Sequence, residues 1–374
     1  MPSNLTRRSL IKTSTLTLGA TLLPACAITS NAETSTQDLI HLNLNENAFG
    51  SSPSVAPAIQ REFPHLSRYA DAVSARAFAE QIAAYERLPA EQVVLGEILG
   101  ALGLYLGSQG SPGGEFIYST PGYLALIDSA AHVGGVAGPV PLNARYENDL
   151  DALTAKVNAK TRALYLINPH NPTGTVSDDA AFKHFLRETS RQAPVIVDEA
   201  YLEYTDDFET RSAVSLVREG ANVLVFRTFD KIHGLAGLPI GYALAPRPLA
   251  EALHKQGLGD AESLGRLNIA AASAALSDTA HVRQVRTSVA AERAKWVAVL
   301  DELKLRHTQS LASFIFFDAG RPQAEVATSL RDRGIDIGRT FPPYTNWARI
   351  TIGRPEENRI VQQNLREIFQ DRSR

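Results

Sequence analysis

Three short, continuous apolar runs constrain the fold of this chain more than any other feature. Ala163-Leu164-Tyr165-Leu166-Ile167, Val195-Ile196-Val197 and Val223-Leu224-Val225-Phe226 carry no charged residue and do not alternate with polar ones. A half-exposed strand alternates, whereas a strand apolar at every position is buried on both faces, as parallel strands covered by helices are. Between the first two runs, Ser177 to Arg191 opens on the cap-like Ser177-Asp178-Asp179 and spaces its apolar residues helically. This is βαβ, and it predicts an α/β fold with a mixed, mostly parallel sheet covered by helices.

Each run stops in polar residues. The first ends in Asn168-Pro169-His170-Asn171-Pro172-Thr173-Gly174, the second in Asp198-Glu199-Ala200-Tyr201, the third in Arg227-Thr228-Phe229-Asp230-Lys231. Asn171 and Asp198 are 27 positions apart, and Asp198 and Lys231 are 33, each about one βα turn. All three groups should therefore emerge at the C-terminal edge of one sheet, where open α/β sheets bind ligands. Further on, a helical pattern from about Val282 to Leu303 leads to strands at Ser313 to Phe317 and Trp347 to Ile352. A closing helix from Pro355 to Phe369 completes a smaller α+β unit. Glu115 to Ser119 reads as one more strand, and Leu42 to Tyr69 as an irregular segment packed across both units. The expected organisation is a leader at 1–32, an N-terminal arm at 33–70, a large domain at 71–275 and a small C-terminal domain at 276–374. The chain is 44% hydrophobic and 21% charged, which excludes a disordered polymer. A formal charge of -3, with no basic run after the first dozen residues, gives no footprint for nucleic acid. A single cysteine excludes internal disulfides and Cys-based zinc sites, and no metal is expected.

The beginning of the chain reads as a targeting segment. Thr6-Arg7-Arg8-Ser9-Leu10-Ile11-Lys12 is followed by an uncharged stretch from Thr13 to Ala32, rich in Thr, Ser, Ala and Gly. A basic start, a weakly apolar middle and small residues at the end make a secretory signal, and the paired arginines resemble the twin-arginine export signal. Two endings are open. Leu23-Pro24-Ala25-Cys26 is similar to a lipoprotein box, with a membrane anchor on Cys26, and Ser30-Asn31-Ala32 is similar to an ordinary cleavage site that releases the protein. Either way the expectation is an exported, periplasmic protein handled by the twin-arginine machinery.

The residues at the sheet edge suit one cofactor. A lysine that can form a Schiff base, an aspartate that keeps a pyridine nitrogen protonated, and Asn and Tyr donors to a phenolate oxygen together hold pyridoxal phosphate. The chain resembles the fold-type I aminotransferases, and among them the histidinol-phosphate aminotransferase group, over about residues 40 to 370. The motifs that carry the resemblance are Asn43-Leu44-Asn45-Glu46-Asn47, Ser67-Arg68-Tyr69, Asn168 to Gly174, Asp198 to Tyr201, Lys231-Ile232-His233-Gly234-Leu235-Ala236-Gly237 and Trp347-Ala348-Arg349-Ile350-Thr351-Ile352-Gly353. By that resemblance Lys231 is the Schiff-base lysine, Asp198 pairs with the ring nitrogen, and Asn171 and Tyr201 bond the ring hydroxyl. Tyr123 stacks on the ring, and Thr228 and Tyr69 of the partner subunit reach the cofactor phosphate, which implies a homodimer. Arg349 forks a substrate carboxylate, with Arg339 and Asn47 as further substrate contacts. His170 and His233, inside the motifs, are expected to line the pocket.

The resemblance is incomplete at the phosphate. The family's Gly-rich stretch is replaced by Gly96-Glu97-Ile98-Leu99-Gly100-Ala101, the serine before the lysine by Asp230, and the arginine eight residues after it by Pro239. Either the cofactor is held less tightly or another cation, such as Arg227, serves in its place. The expected activity is transfer of an amino group from an amino acid or related amine to a 2-oxo acid, 2-oxoglutarate for example. A lyase, decarboxylase or racemase on the same scaffold, or a binding protein without turnover, are the alternatives.

Overall fold

The computed structural model describes residues 39–370. Its strands are β1 (Ile40–Leu42), β2 (Val93–Leu95), β3 (Glu115–Thr120), β4 (Val136–Pro141), β5 (Thr161–Ile167), β6 (Val195–Asp198), β7 (Val223–Thr228), β8 (Gly241–Leu244), β9 (Phe314–Asp318), β10 (Ile335–Ile337) and β11 (Trp347–Thr351). Seven form one mixed sheet in the order β2-β8-β7-β6-β5-β3-β4. β4, β3, β5, β6 and β7 are parallel, and β8 runs antiparallel to both of its neighbours.

Burial on both faces explains the apolar runs. Val195, Val197, Val223 and Val225 point into one hydrophobic core, while Ile196, Leu224 and Phe226 point into another on the opposite face. Successive side chains of a strand alternate in direction, so a strand between two cores must be apolar at every position. The helix Asp179–Thr189 covers the first face with Phe182, Phe185 and Leu186, capped by Asp178, whose carboxylate accepts the Ala181 N–H at 2.9 Å.

A third core lies around the long helix Thr279–Glu302, the antiparallel pair β9–β11, the parallel pair β1–β10 and the helix Pro355–Gln370. The chain leaves the first core with the helix Arg266–Ser277 and enters the third with Thr279–Glu302, the turn being capped by Asp278. The segment expected to be irregular holds a helix, Val55–Glu62. Only Val55 and Ala58 of its eight residues are buried, and Pro57 lies in its first turn, where a missing N–H does no harm. The segment does touch both cores, Val55 joining the first and Leu42 the third.

Sheet topology fixes where a ligand can go. From β3 the chain adds β4 on one side and then crosses to β5 on the other, so the strand order reverses between β3 and β5. Open sheets bind ligands at such a reversal, beyond the C-terminal ends of the strands.

Candidate active site

A cavity sits at that edge. Its lining includes Tyr123 after β3, Asn171 after β5, Asp198 and Tyr201 at the end of β6, and Thr228, Asp230 and Lys231 at the end of β7. Arg339 and Phe341, after β10, and Arg349, on β11, close the other side. Eight of the ten side chains singled out from the sequence therefore meet in one place.

Strand parity orients them. Asp198 lies on the same face of β6 as Ile196, and Thr228 on the same face of β7 as Phe226, which is the cavity side. Asp198 is 4% exposed and accepts the Ala200 N–H at 3.0 Å and the Tyr165 hydroxyl at 2.8 Å. Burial pushes its carboxyl up to about 6 against the pull of those donors and of Lys231. Tyr201 packs edge-on against Phe314, and its hydroxyl accepts the Asn45 amide at 3.0 Å. Asn45 is held in turn by Thr351 of β11, whose hydroxyl accepts its N–H at 3.0 Å. Tyr123 is 50% exposed and faces the cavity, as a stacking group must.

The loop that carries Lys231 is locked from behind. Gly234 has φ +71°, and a Cβ there would lie 2.7 Å from the Gly50 carbonyl carbon, so only glycine lets the two loops touch. Asn47 completes the lock by donating to the Ile232 carbonyl at 2.8 Å and the Gly50 carbonyl at 3.1 Å. It does not line the cavity, so the expectation of a substrate contact is corrected to that of a support for the lysine loop.

Arg349 is 7% exposed and carries no carboxylate partner. It donates to Asn171 Oδ1 at 2.6 Å and the Asn43 carbonyl at 2.7 Å, while its Nε has no hydrogen-bond partner. Burial pulls its guanidinium down to about 10, with the neighbouring charge of Arg339 adding to the effect. Arg339 and Arg349 both lie over the Phe341 ring, at 4.6 and 4.9 Å. A buried guanidinium with an unused donor, facing a cavity, is built for an anion.

Tyr69, expected at the partner subunit's cavity, is 80% exposed and borders a separate surface cleft. Other expectations fail on geometry. His170 and His233 do not line the cavity. His170 is fully buried behind it and held neutral, its imidazole pushed down to about 3 by burial, and His233 stacks on Phe229 beside Glu203. Arg227 faces the opposite side of the sheet from Thr228. There it is enclosed by Glu86 at 2.7 Å and Glu199 at 3.0 Å, and it serves no ligand in the cavity. Two polar lining residues were missed in the sequence. Asn45 stands two residues before the Asn47 that was chosen, and Glu97 follows β2, in a stretch that reads as mostly apolar.

A buried aspartate, an amine, paired hydroxyl and amide groups and an aromatic face fit a pyridoxal ring. The end beyond Lys231, lined by Glu97 and Asp230, does not resemble a phosphate cradle.

Residues 37–365 match the family described as aminotransferase class I and II. The chain belongs to that family. It is 33% identical to the histidinol-phosphate aminotransferase of Moorella thermoacetica, over 90% of this chain and 87% of that protein. It is 34% identical to that of Symbiobacterium thermophilum, over 88% and 90%. The solved structure of histidinol-phosphate aminotransferase from Sinorhizobium meliloti, in complex with pyridoxal-5'-phosphate, superposes with a TM-score of 0.80 at 28% identity, covering 89% of this chain and 91% of that one. The fold is therefore that of the fold-type I aminotransferases, and the chain is an aminotransferase dependent on pyridoxal phosphate.

Proposed function

We propose that this aminotransferase, of the histidinol-phosphate aminotransferase kind, moves an amino group from an amino acid or related primary amine to a 2-oxo acid such as 2-oxoglutarate. The observation that carries the reading is the meeting of Lys231, Asp198, Asn171, Tyr201 and Arg349 around one cavity. When bound, pyridoxal phosphate supplies a protonated pyridine ring that draws electrons from the carbon bearing the amine and makes its proton removable. Asp198 would hold the ring nitrogen, Asn171 and Tyr201 the ring hydroxyl, and Tyr123 the ring face. Lys231 presents the one amine of the lining, and its Nζ is the group that can take a proton from one carbon and return it to the next. Arg349 orients the substrate by its carboxylate, and its fixed contacts to Asn171 and Asn43 keep the fork aimed.

Borohydride trapping and a panel of amino acids with 2-oxoglutarate test this. The expected result is a label on Lys231 and a new amino acid formed in step with each oxo acid released, both lost in Lys231→Ala. Racemised donor, or released product without a new amino acid, would instead establish a different reaction on this scaffold.

Two features of the whole protein belong to the same proposal. Phe63, Leu66, Tyr69 and Val73 stand exposed along one segment, which supports a homodimer in which Tyr69 of the partner subunit serves the neighbouring cavity. The paired Arg7-Arg8 and the uncharged stretch after them lie outside the described residues, and they support export to the periplasm. Retention of the full-length chain in the cytoplasm in an Arg7→Lys, Arg8→Lys variant, against a shortened periplasmic wild type, would bear this out.

A further inference from the structure

Lys231 and Tyr201 each open a four-residue turn. The Gly234 N–H donates to the Lys231 carbonyl at 2.9 Å, and the Tyr204 N–H donates to the Tyr201 carbonyl at 3.2 Å. Both first residues line the cavity, whereas the third residues, His233 and Glu203, do not. Those third residues meet each other instead. His233 Nε2 lies 3.4 Å from Glu203 Oε1, and each residue is only 5% exposed. Among the described residues this is the one polar contact between the two turns.

The surroundings leave the pair to itself. Among the described residues Glu203 has no other ion-pair partner, and His233 Nδ1 is buried without a hydrogen-bond partner. The neighbouring charges are engaged elsewhere. Glu86 and Glu199 hold Arg227 of β7, and Tyr242 of β8 donates to Glu86 at 2.6 Å. Arg286, on the helix Thr279–Glu302, donates to the Glu203 carbonyl at 2.6 Å and lies over the Phe208 ring at 4.7 Å. Burial works to raise the Glu203 carboxyl, yet His233, Arg227 and Arg286 together hold it below the usual carboxylate range. An ionised carboxylate out of water needs a donor, so the imidazole must present its Nε2–H to Glu203.

Packing makes this contact matter for Lys231. Phe229 and Leu235, on either side of the lysine turn, belong to the first core, whereas Ile232 joins Tyr201 and Tyr204 in the third. Gly50 and Asn47 hold the turn against the N-terminal segment. Those contacts leave its position relative to Tyr201 to apolar packing, which has no direction. A polar pair has one.

We propose that Glu203 and His233 are positioning residues, a buried clamp that joins the two turns and fixes the Lys231 amine relative to the Tyr201 hydroxyl. The inference rests on the reading of Lys231 as the reacting amine. Without the clamp the lysine turn keeps its hold on Gly50 and Asn47 but shifts against Tyr201, and a displacement of about 1 Å costs about 100-fold in rate.

The test uses the full chain and reads three quantities. They are the rate at which pyridoxal phosphate and borohydride label Lys231, the kcat and KM for a carboxylate-bearing donor, and stability in urea. His233→Phe keeps a ring against Phe229 and removes the N–H, and Glu203→Leu removes its acceptor. Each should slow both labelling and kcat by about 10- to 100-fold with KM little changed, because Arg349 stands on another element. The double variant should be no slower than the worse single, since the two act as one unit. His233→Gln, which returns an N–H to the same place, should recover most of the rate. Single variants that lose stability but label and turn over like wild type overturn the inference, and so do losses that multiply in the double variant. Nitrogen NMR of the wild-type histidines decides even where a variant fails to fold. Hydrogen on His233 Nε2, with a resonance that moves in Glu203→Gln, is the expected result, and hydrogen on Nδ1 alone overturns the clamp while leaving the transaminase reading standing. Failure to label Lys231 in the wild type overturns both.

Discussion

Ionising Asp198 in the cofactor-free protein is costly, because its carboxylate has left water with only Ala200 N–H and the Tyr165 hydroxyl as donors. In an unfolded chain it titrates near 3.8, and in the fold near 6. Between those values the unfolded state has released a proton that the folded state keeps, so stability falls as pH rises through that window and the loss is complete above it. The size is about 3 kcal/mol. Asp198→Asn should therefore stabilise the cofactor-free protein at pH 8 and leave it unchanged near pH 3.5, as measured by denaturant melts at both. Equal effects at the two pH values would contradict it. Arg349→Lys keeps the charge and loses the fork, so it should raise KM for carboxylate-bearing substrates by about 10- to 100-fold with a smaller change in kcat. These two residues were legible because each follows or sits on a strand whose direction the apolar pattern gives. Arg227 was misread although the same rule was available. It alternates with Phe226 and Thr228, so the face that holds Thr228 at the cavity turns Arg227 toward Glu86 and Glu199. Asn45 could not be told from Asn47 by sequence, because the backbone at Asn45 takes a φ of +58° and breaks any regular alternation. Glu97 follows a three-residue strand in apolar company, and nothing in its neighbours says which way it points.

Strands followed by a polar motif were readable, and equally buried strands without one were not. β6 and β7 are buried at every position and β5 at its last five, and each runs into polar residues, whereas β2, with three residues, and β8, which opens on Gly241-Tyr242, are just as buried but carry no such signal. The same holds for the helix Val55–Glu62, whose two buried residues leave no apolar stripe. What joins the later elements is equally hidden, because it is one polar side chain. Asn358, fully buried on the C-terminal helix, accepts the Trp296 indole N–H at 3.0 Å and the Gly353 N–H at 2.8 Å, and donates to the Gly353 carbonyl and to Glu292. It ties that helix to the long helix and to the end of β11, the strand that carries Arg349. Asn358→Ala strands several buried donors and acceptors, each costing about 1–3 kcal/mol, so the expected loss is about 3 kcal/mol in urea unfolding. A loss under about 1 kcal/mol would mean that water enters and replaces the amide. Because the network lies behind β11, the variant that remains folded should also bind carboxylate substrates more weakly, which separates its effect from that of a generic core defect.

Among the described residues, several large apolar side chains stand exposed within one short segment, and a second copy of the chain would cover them. Leu66 is 60% exposed, Tyr69 80% and Val73 78%, within eleven residues that also hold an exposed Phe63. Tyr69 is anchored by its backbone, its carbonyl accepting from Arg266 Nη2 at 2.6 Å, so the ring projects from a fixed point. A patch of this kind on a lone chain is an interaction surface or an aggregation hazard. The expected mass in solution, from light scattering across micromolar concentrations, is near twice that of one chain. Leu66→Asp with Val73→Asp should yield a monomer with unchanged far-UV circular dichroism, since neither side chain belongs to a core. Tyr69→Phe should leave the dimer intact and loosen pyridoxal phosphate several-fold, because only the hydroxyl toward the neighbouring cavity is lost. The two variants divide the question. A wild type that stays monomeric ends the proposal of a shared site, and a dimer indifferent to charges at Leu66 and Val73 places its interface on another surface. If the double variant is monomeric and Tyr69→Phe also weakens the cofactor, the second subunit supplies the cavity with a donor that this chain does not supply to itself, and the monomer should hold pyridoxal phosphate several-fold less tightly than the dimer.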